Sequence, residues 1–419
     1  MILAPRSGLW TPRSRPPSLM LPFGVAGTEP IGYHSRVAGA PTITRAGVRY
    51  HRNGASYVSV AENKHACETD ADGKRYVSVY GERTNQVLQS GGQSGWTTYD
   101  CTQSDSGVAS PVPGVNWTRI VETTGAGKLP MLYRAAGPAP AQNQKFLVAA
   151  LAKFGDRYCT LRVDDAAINV DLESGVIVDT GQTANHTLHA YGIVPIAATT
   201  WLLWMVASDA TVTPVAPTIV VHCADSAELS NGTYDIYTGD AGAHPLGVLF
   251  ADAAVIIGAT GPGPIIPTTT AAVTKVAEVI AWPVADYGIP GSVELHVRTR
   301  DTVPTDKRIW SWYDADGDAA IELFPDSAGH VHLRVHNGTG EVADIEVATA
   351  VNTGAWFPVR AAWEHNYVRL RVGSTDAIDT SCTMPALAAL DASRLGASKA
   401  GQQFDGDIAE FRAHTRRII

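Results

Sequence analysis

From residue 293 onward the chain keeps returning to one pattern, an apolar side chain at every second position. In Val293-Glu-Leu-His-Val-Arg-Thr-Arg300 the apolar residues hold the odd numbers. Val331, Leu333 and Val335 alternate with His332, Arg334 and His336, and Val368, Leu370 and Val372 with Tyr367, Arg369 and Arg371. Period two is the repeat of a strand with one buried face, and a helix cannot satisfy it. Helix signals are nearly absent; only Ala386–Asp391 has the composition for a single turn. Gly 39 and Pro 25 against Met 5 and Phe 8 punctuate the chain with turns at roughly ten-residue intervals, the rhythm of a sandwich or jelly roll. The expected fold is all-β, with two antiparallel β-sandwich (jelly-roll) domains in tandem behind an extended N-terminal arm.

The domain limits come from breaks in this pattern. A chain of 419 residues exceeds one ordinary core, at about 100–200 residues per domain. Residues 1–45 carry Arg6, Arg13, Arg15, Arg36 and Arg45 against the single acid Glu29, and seven prolines forbid a long helix. Such an arm is either a loose tail or one that orders by docking on a partner, and Trp10 and Phe23 favour docking. A small hairpin follows around Asp70-Ala-Asp-Gly73. Strand candidates then run through Phe146–Lys153, Tyr158–Val163, Ile168–Leu172, His186–Ile193, Trp201–Ala207 and Thr218–His222, and the apolar run Trp201–Val206 reads as a strand buried on both sides. In Pro264-Ile-Ile-Pro-Thr-Thr-Thr-Ala-Ala-Val-Thr-Lys275 prolines and small residues leave nothing to anchor a core, so 264–275 reads as a linker. The expected domains are a docking arm (1–45), a first sandwich with its leading hairpin (46–263) and a second sandwich (276–419).

Charge and cysteine content narrow the partners. Hydrophobic residues make up 45% and charged ones 17%, the balance of a globular chain, and a net charge of −9 removes the electrostatic case for nucleic acid. No apolar run is long enough to span a membrane, and the N-terminus lacks the pattern of a secretory signal. Cys67, Cys101, Cys159, Cys223 and Cys382 are odd in number, widely spaced and without a CxxC pair. Buried free thiols are expected rather than zinc ligands or a disulfide framework.

Several segments carry resemblances to known families. Arg83-Thr-Asn-Gln-Val-Leu88, then Ser90 and Trp96, resembles the opening of a carbohydrate-binding-like jelly roll found in tail and fibre proteins of tailed bacteriophages. Tyr76-Val-Ser-Val-Tyr-Gly-Glu82 is similar to the hairpin strand that precedes it in that family. Val255-Ile-Ile-Gly-Ala259 and Pro264–Lys275 resemble its closing strand and exit. The last domain resembles concanavalin/laminin-G-like sandwiches through Trp356, Trp363, Tyr367–Val372 and the closing Phe404-Asp-Gly-Asp-Ile-Ala-Glu-Phe-Arg412. The resemblance implies a virion protein that attaches to host-surface glycan. Fold analogy of this kind speaks to architecture before ligand.

Sugar binding needs an aromatic face with carboxylates or amides beside it. Trp310 and Trp312 share one face of a strand, and Asp314, Asp316 and Asp318 follow in the adjoining turn, which makes Trp310-Ser-Trp312-Tyr-Asp-Ala-Asp-Gly-Asp318 the leading candidate. The plainer alternative is a hairpin with both tryptophans in the core. Calcium at the three aspartates fits poorly, because Gly317 is misplaced for an EF-hand-like loop. Arg334 and Arg369 belong to a set of outward basic residues (His296, Arg298, Arg300, His332, His336, Arg371) that either form a positive stripe for an anionic polysaccharide or pair with acids such as Glu294, Glu346 and Glu364. Catalytic signatures are missing: no HExxH, no GxSxG, and Gly125-Ala-Gly-Lys128 lacks the spacing of a phosphate loop. Acids such as Asp164, Asp165, Asp171 and Glu173, or Asp405, Asp407 and Glu410, are more often turn and strand residues than hydrolytic pairs.

The expectation is therefore a non-enzymatic virion component without metal or cofactor. Its arm would dock on other virion proteins, and its sandwiches would bind host-surface polysaccharide as a homo-oligomer. A purely structural decoration or scaffolding protein and a polysaccharide depolymerase are the alternatives.

Overall fold

A computed structural model describes residues 82–415, apart from 92–93, 260, 262–265, 276, 278, 283–284, 286, 301–306, 352–353, 386–389 and 401, together with short strands before residue 82. Strands, turns and irregular segments make up all of the described residues, with no helix among them. The chain is all-β, and its sheets are antiparallel and packed as sandwiches.

The first sandwich faces two six-stranded sheets. One runs His186–Ala197, Thr200–Asp209, Lys145–Phe154, Val248–Ile257, Asn116–Glu122, Cys101–Ala109. The other runs Val176–Gln182, Ala166–Asp171, Tyr158–Val163, Thr218–Ala224, Met131–Ala135, Thr97–Tyr99. Alternation decides the faces: Cys159, Leu161 and Val163 enter the core with Ile219, Val221, Leu203 and Met205, while Thr160 and Arg162 turn away from it. Both faces of the Thr200–Asp209 strand carry apolar packing, which explains its unbroken apolar run, although Trp201 and Trp204 stay half-buried. Cys101, Cys159, Cys223 and Cys382 are free and buried, as the spacing predicts. Burial pushes the Cys159 thiol up to about 12, so these sulfurs act as small apolar groups.

The second sandwich closes around an aromatic core containing Trp282, Trp310, Trp312, Trp363, Tyr287, Phe404 and Phe411. One sheet runs Thr42–Thr44, Val279–Trp282, Ala392–Leu395, Trp310–Tyr313, Ala319–Pro325, Val331–Asn337, Glu341–Val347. The facing sheet includes Tyr367–Val372, Phe357–Glu364, Gly291–Thr299 and Gly406–His414.

Three features depart from the sequence-based boundaries. The leading hairpin, Cys67–Thr69 and Arg75–Val79, is hydrogen-bonded to Gly406–His414, and Val77 and Val79 are core residues of the second sandwich. It therefore belongs to that sheet rather than to the first sandwich; its turn lies outside the described residues. Within the arm, Leu19–Met20 pairs with Gly406–His414 and Thr42–Thr44 with Val279–Trp282, so these pieces extend the chain's own second sandwich. The rest of the arm lies outside the described residues.

The seam is not a loose linker. Ile266 and Thr268 are buried, and Val273–Lys275 pairs with Arg83–Asn85. The Asn85 amide donates to Ile266 O at 2.8 Å and to Ala253 O at 2.9 Å, while its Oδ1 accepts from the Val87 N–H at 3.0 Å. The opening and exit segments satisfy each other's backbone groups, which otherwise lie buried without partners. Arg83 extends this clasp to the second sandwich, donating to Gly261 O at 3.0 Å and to Asp405 at 2.7 Å.

Candidate functional site

Trp310 and Trp312 do share a face, but it is the core face. Both are fully buried; Trp310 stacks on Trp363 at 5.6 Å, and the Trp312 N–H donates to Ala285 O at 3.0 Å. Their residues pair with Leu323 and Ile321 of the neighbouring strand, which face the same core. The leading candidate is thus corrected to its plainer alternative: these rings hold the sandwich together and offer no platform. Asp314 accepts the Gly317 N–H and shapes the turn, and Asp316 is exposed beyond it.

The basic residues are paired rather than displayed. Arg334 grips Asp344 through Nε at 3.0 Å and Nη2 at 2.7 Å, and lies over the Phe324 ring. Arg369 meets Asp376 at 2.6 Å, Arg298 meets Asp407 at 2.7 Å, and His296 meets Glu410 at 3.2 Å. Cross-strand acids cancel the stripe, which removes the electrostatic case for a polyanionic ligand there. The acids named for hydrolysis are engaged in the same way. Asp405 and Asp407 belong to a buried network with Arg83, Arg298 and Arg300, and Asp171 accepts from the Glu173 N–H and the Ser174 hydroxyl.

A half-buried tryptophan lies instead on the outer face of the first sandwich. Along Thr200–Asp209, Leu203, Met205 and Ala207 face the core, so Leu202, Trp204 and Val206 face outward. Two apolar covers lie on this outer face. Val112, Trp117 and Ile196 shield Leu202 and Leu151, and Ala259 and Ile266 shield Val206 and Leu147. Trp204 touches both covers and stays part-exposed between them.

Its pose depends on one small residue. Gly192 pairs with Trp204 across the hairpin, and a Cβ there would lie 2.9 Å from Cζ2 and 3.0 Å from Cε2 and Nε1. Near-equal distances to three ring atoms place the indole face-on over the bare glycine, where any side chain would lift it. Ala149 lies opposite Trp204 on its other side and Ala254 beyond it, so Gly192, Ala149 and Ala254 form a track of small residues across the strands. At about 4.8 Å per strand this track is on the order of 15 Å long. The Trp204 indole N–H has no acceptor among the described residues. Farther along this strand pair, His189 Nε2 and Ser208 Oγ are 2.8 Å apart, and burial with the nearby Lys145 charge lowers the His189 pKa. An aromatic face, a free N–H and low walls are what the apolar face of a pyranose ring requires.

Sequence reasoning missed this site because the run around Trp204 reads as wholly buried. The available signal was a glycine in strand-forming sequence, five residues before the hairpin turn, against an aromatic four residues after it, the difference being taken up by a bulge at Pro195–Ala197.

No family model matches the chain, and no curated protein matches it. Among solved structures it is similar to the CBM40 of the Ruminococcus gnavus IT-sialidase, bound to alpha2,3 sialyllactose. That likeness has a TM-score of 0.28 and 14% identity over 32% of this chain and 80% of that one. Domains LG4-5 of the mouse laminin alpha1 chain align with a TM-score of 0.26 and 13% identity, over 69% of this chain and 86% of that one. The tail fibre protein gp63.1 of an E. coli phage aligns with a TM-score of 0.21 and 10% identity, over 84% of this chain and 40% of that one. What each of these binds is a property of that protein.

Proposed function

We propose that the chain is a non-enzymatic component of a tailed-phage or phage-derived particle, and that it binds host-surface glycan on the outer face of its first sandwich. The observation that carries the glycan reading is Trp204, laid over Gly192 with its ring part-exposed and its N–H without an acceptor among the described residues. The phage setting rests on the motif resemblance of Arg83–Leu88 and Pro264–Lys275. Sugar C–H groups stack on the indole, and its N–H donates to a ring or hydroxyl oxygen. One such contact is weak, so a symmetric homo-oligomer in the virion provides avidity.

A glycan array with the full chain tests this. Binding by the wild type, lost in Trp204→Ala and weakened in Gly192→Val at unchanged melting temperature, is the expected result. Retained binding in Trp204→Ala overturns the site. Failure of the wild type on every glycan returns the chain to a scaffolding role, and release of reducing ends from capsule returns it to a depolymerase.

A further inference from the structure

The outer face of the second sandwich gathers a donor set of another kind. Asp326 sits in the turn after Ala319–Pro325, His330 immediately precedes the next strand, Val331–Asn337, His332 is that strand's second residue, and Asp344 and Glu346 lie on the edge strand Glu341–Val347. Ligand atoms of Asp326, His330 and Glu346 all lie within 4.8 Å of one another. His330 Nδ1 is 2.6 Å from Glu346 Oε1 and 3.8 Å from Asp326 Oδ2. His332 Nε2 is 3.8 Å from both Asp326 Oδ2 and Glu346 Oε2.

The state of His332 goes beyond ordinary ion pairing. Its Nδ1 is 2.7 Å from Asp344 Oδ1, and Asp344 is itself held by Arg334. An Nδ1–H donated to that carboxylate leaves Nε2 as the ring atom that faces Asp326 Oδ2 and Glu346 Oε2. That atom is buried and has no hydrogen-bond partner among the described residues. A carboxylate that fixes one imidazole nitrogen so that the other can ligate is the usual support of a metal-bound histidine. Asp326 is divided in the same sense: its Oδ1 accepts the Ala328 and His330 N–H groups at 2.9 and 2.8 Å, leaving Oδ2 for the cluster.

We infer that Asp326, His330, His332 and Glu346 form a site for a divalent cation of the zinc class. Two imidazoles and two carboxylates suit zinc, whereas calcium asks for about six to eight oxygens. Arg334 neutralises Asp344, so the two carboxylates left in the donor set balance a dication. Donors about 2.1 Å from a tetrahedral centre lie about 3.4 Å apart. The 2.6 Å contact must open by about 0.8 Å and the 3.8 Å contacts must close by about 0.4 Å, which part-exposed side chains on a turn and an edge strand allow. The bound ion ties the 326–330 turn to the free edge of the sheet, a structural staple rather than a catalytic centre.

The test uses the full chain without a histidine tag, stripped with chelator and titrated with zinc by calorimetry and by thermal melting. One zinc per chain and a higher melting temperature are expected, with no response to calcium. Glu346→Gln, an exposed near-isosteric change, loses about 10- to 100-fold in zinc affinity while its metal-free melting stays at the wild-type value. His330→Gln behaves alike, and Asp316→Asn, in the turn at the opposite end of Ala319–Pro325, binds as the wild type does. No zinc uptake by the wild type, or undiminished affinity in Glu346→Gln, overturns the site.

Discussion

Ser90 and Thr268 exchange hydrogen bonds: the Ser90 N–H donates to Thr268 Oγ1 at 3.1 Å, and the Thr268 N–H donates to Ser90 Oγ at 3.0 Å. The Thr268 hydroxyl also donates to Val87 O. The two segments that mark the first sandwich in the sequence are therefore each other's partners, and the threonine run serves as a lock rather than a spacer.

Thr268→Val keeps the shape and removes the hydroxyl, leaving the Ser90 N–H and Val87 O buried without it. A loss of about 2 kcal/mol is expected from unsatisfied groups of this kind. Urea unfolding followed by far-UV circular dichroism reads it as a shift of the transition midpoint. A change below about 0.5 kcal/mol, the range of neutral surface substitutions, would show that the clasp is incidental.

Arg83 joins the clasp to the second sandwich through Asp405, with both side chains nearly buried. Arg83→Ala strands that carboxylate, although Arg300 remains 3.6 Å from it. The expected cost is about 2–4 kcal/mol. Calorimetry should show the two sandwiches unfolding in more widely separated transitions; a single unshifted transition would count against the coupling.

Acid should weaken both domains. Burial acts to raise the Asp405 carboxyl, but the Arg83 and Arg300 charges hold it below its usual value. Burial likewise opposes Glu122, which hydrogen bonds from Arg157, Tyr237 and the Asp240 N–H hold down. A depressed carboxyl contributes stability that is present above its unfolded value, about 4, and is lost as pH falls through the folded one. Melting temperature should drop steeply below about pH 4, and Glu122→Gln should flatten part of that slope.

Asp252 has the opposite sign. Burial pushes its carboxyl up to about 7 against the hydrogen bonds of Ser90 and the Ala253 N–H. The stability this group contributes is present below its unfolded value of about 3.9 and is lost as pH rises toward 7. Asp252→Asn should therefore raise stability more at pH 8 than at pH 5. Equal gains at the two values would mean the carboxyl is ionised in the folded chain throughout.

Trp312→Ala illustrates how site and core are told apart. Truncating a buried tryptophan costs about 3–5 kcal/mol, enough to threaten the second sandwich. Lost glycan binding in that variant would report unfolding. Trp204→Ala, at a part-exposed ring, should leave the melting temperature within a few degrees of wild type and so isolates the surface.

Period two alone determined that residues such as Val331–Asn337 form strands, that one face of each is apolar, and that the fold is built of antiparallel sheets. The same alternation is satisfied whichever face is buried, so it did not say that Trp310 and Trp312 point inward; closure of the second sandwich decided that. Nor does a local repeat carry the identity of a distant partner. Ser78 and Asp407 meet across 329 residues, and this pairing moved the leading hairpin from the first domain to the second. Trp204 over Gly192 and His332 between Asp344 and Asp326 likewise exist only once strand register is set. A strand's own residues specify its faces, while its neighbours are chosen by which pairing buries those faces and satisfies every backbone group at once.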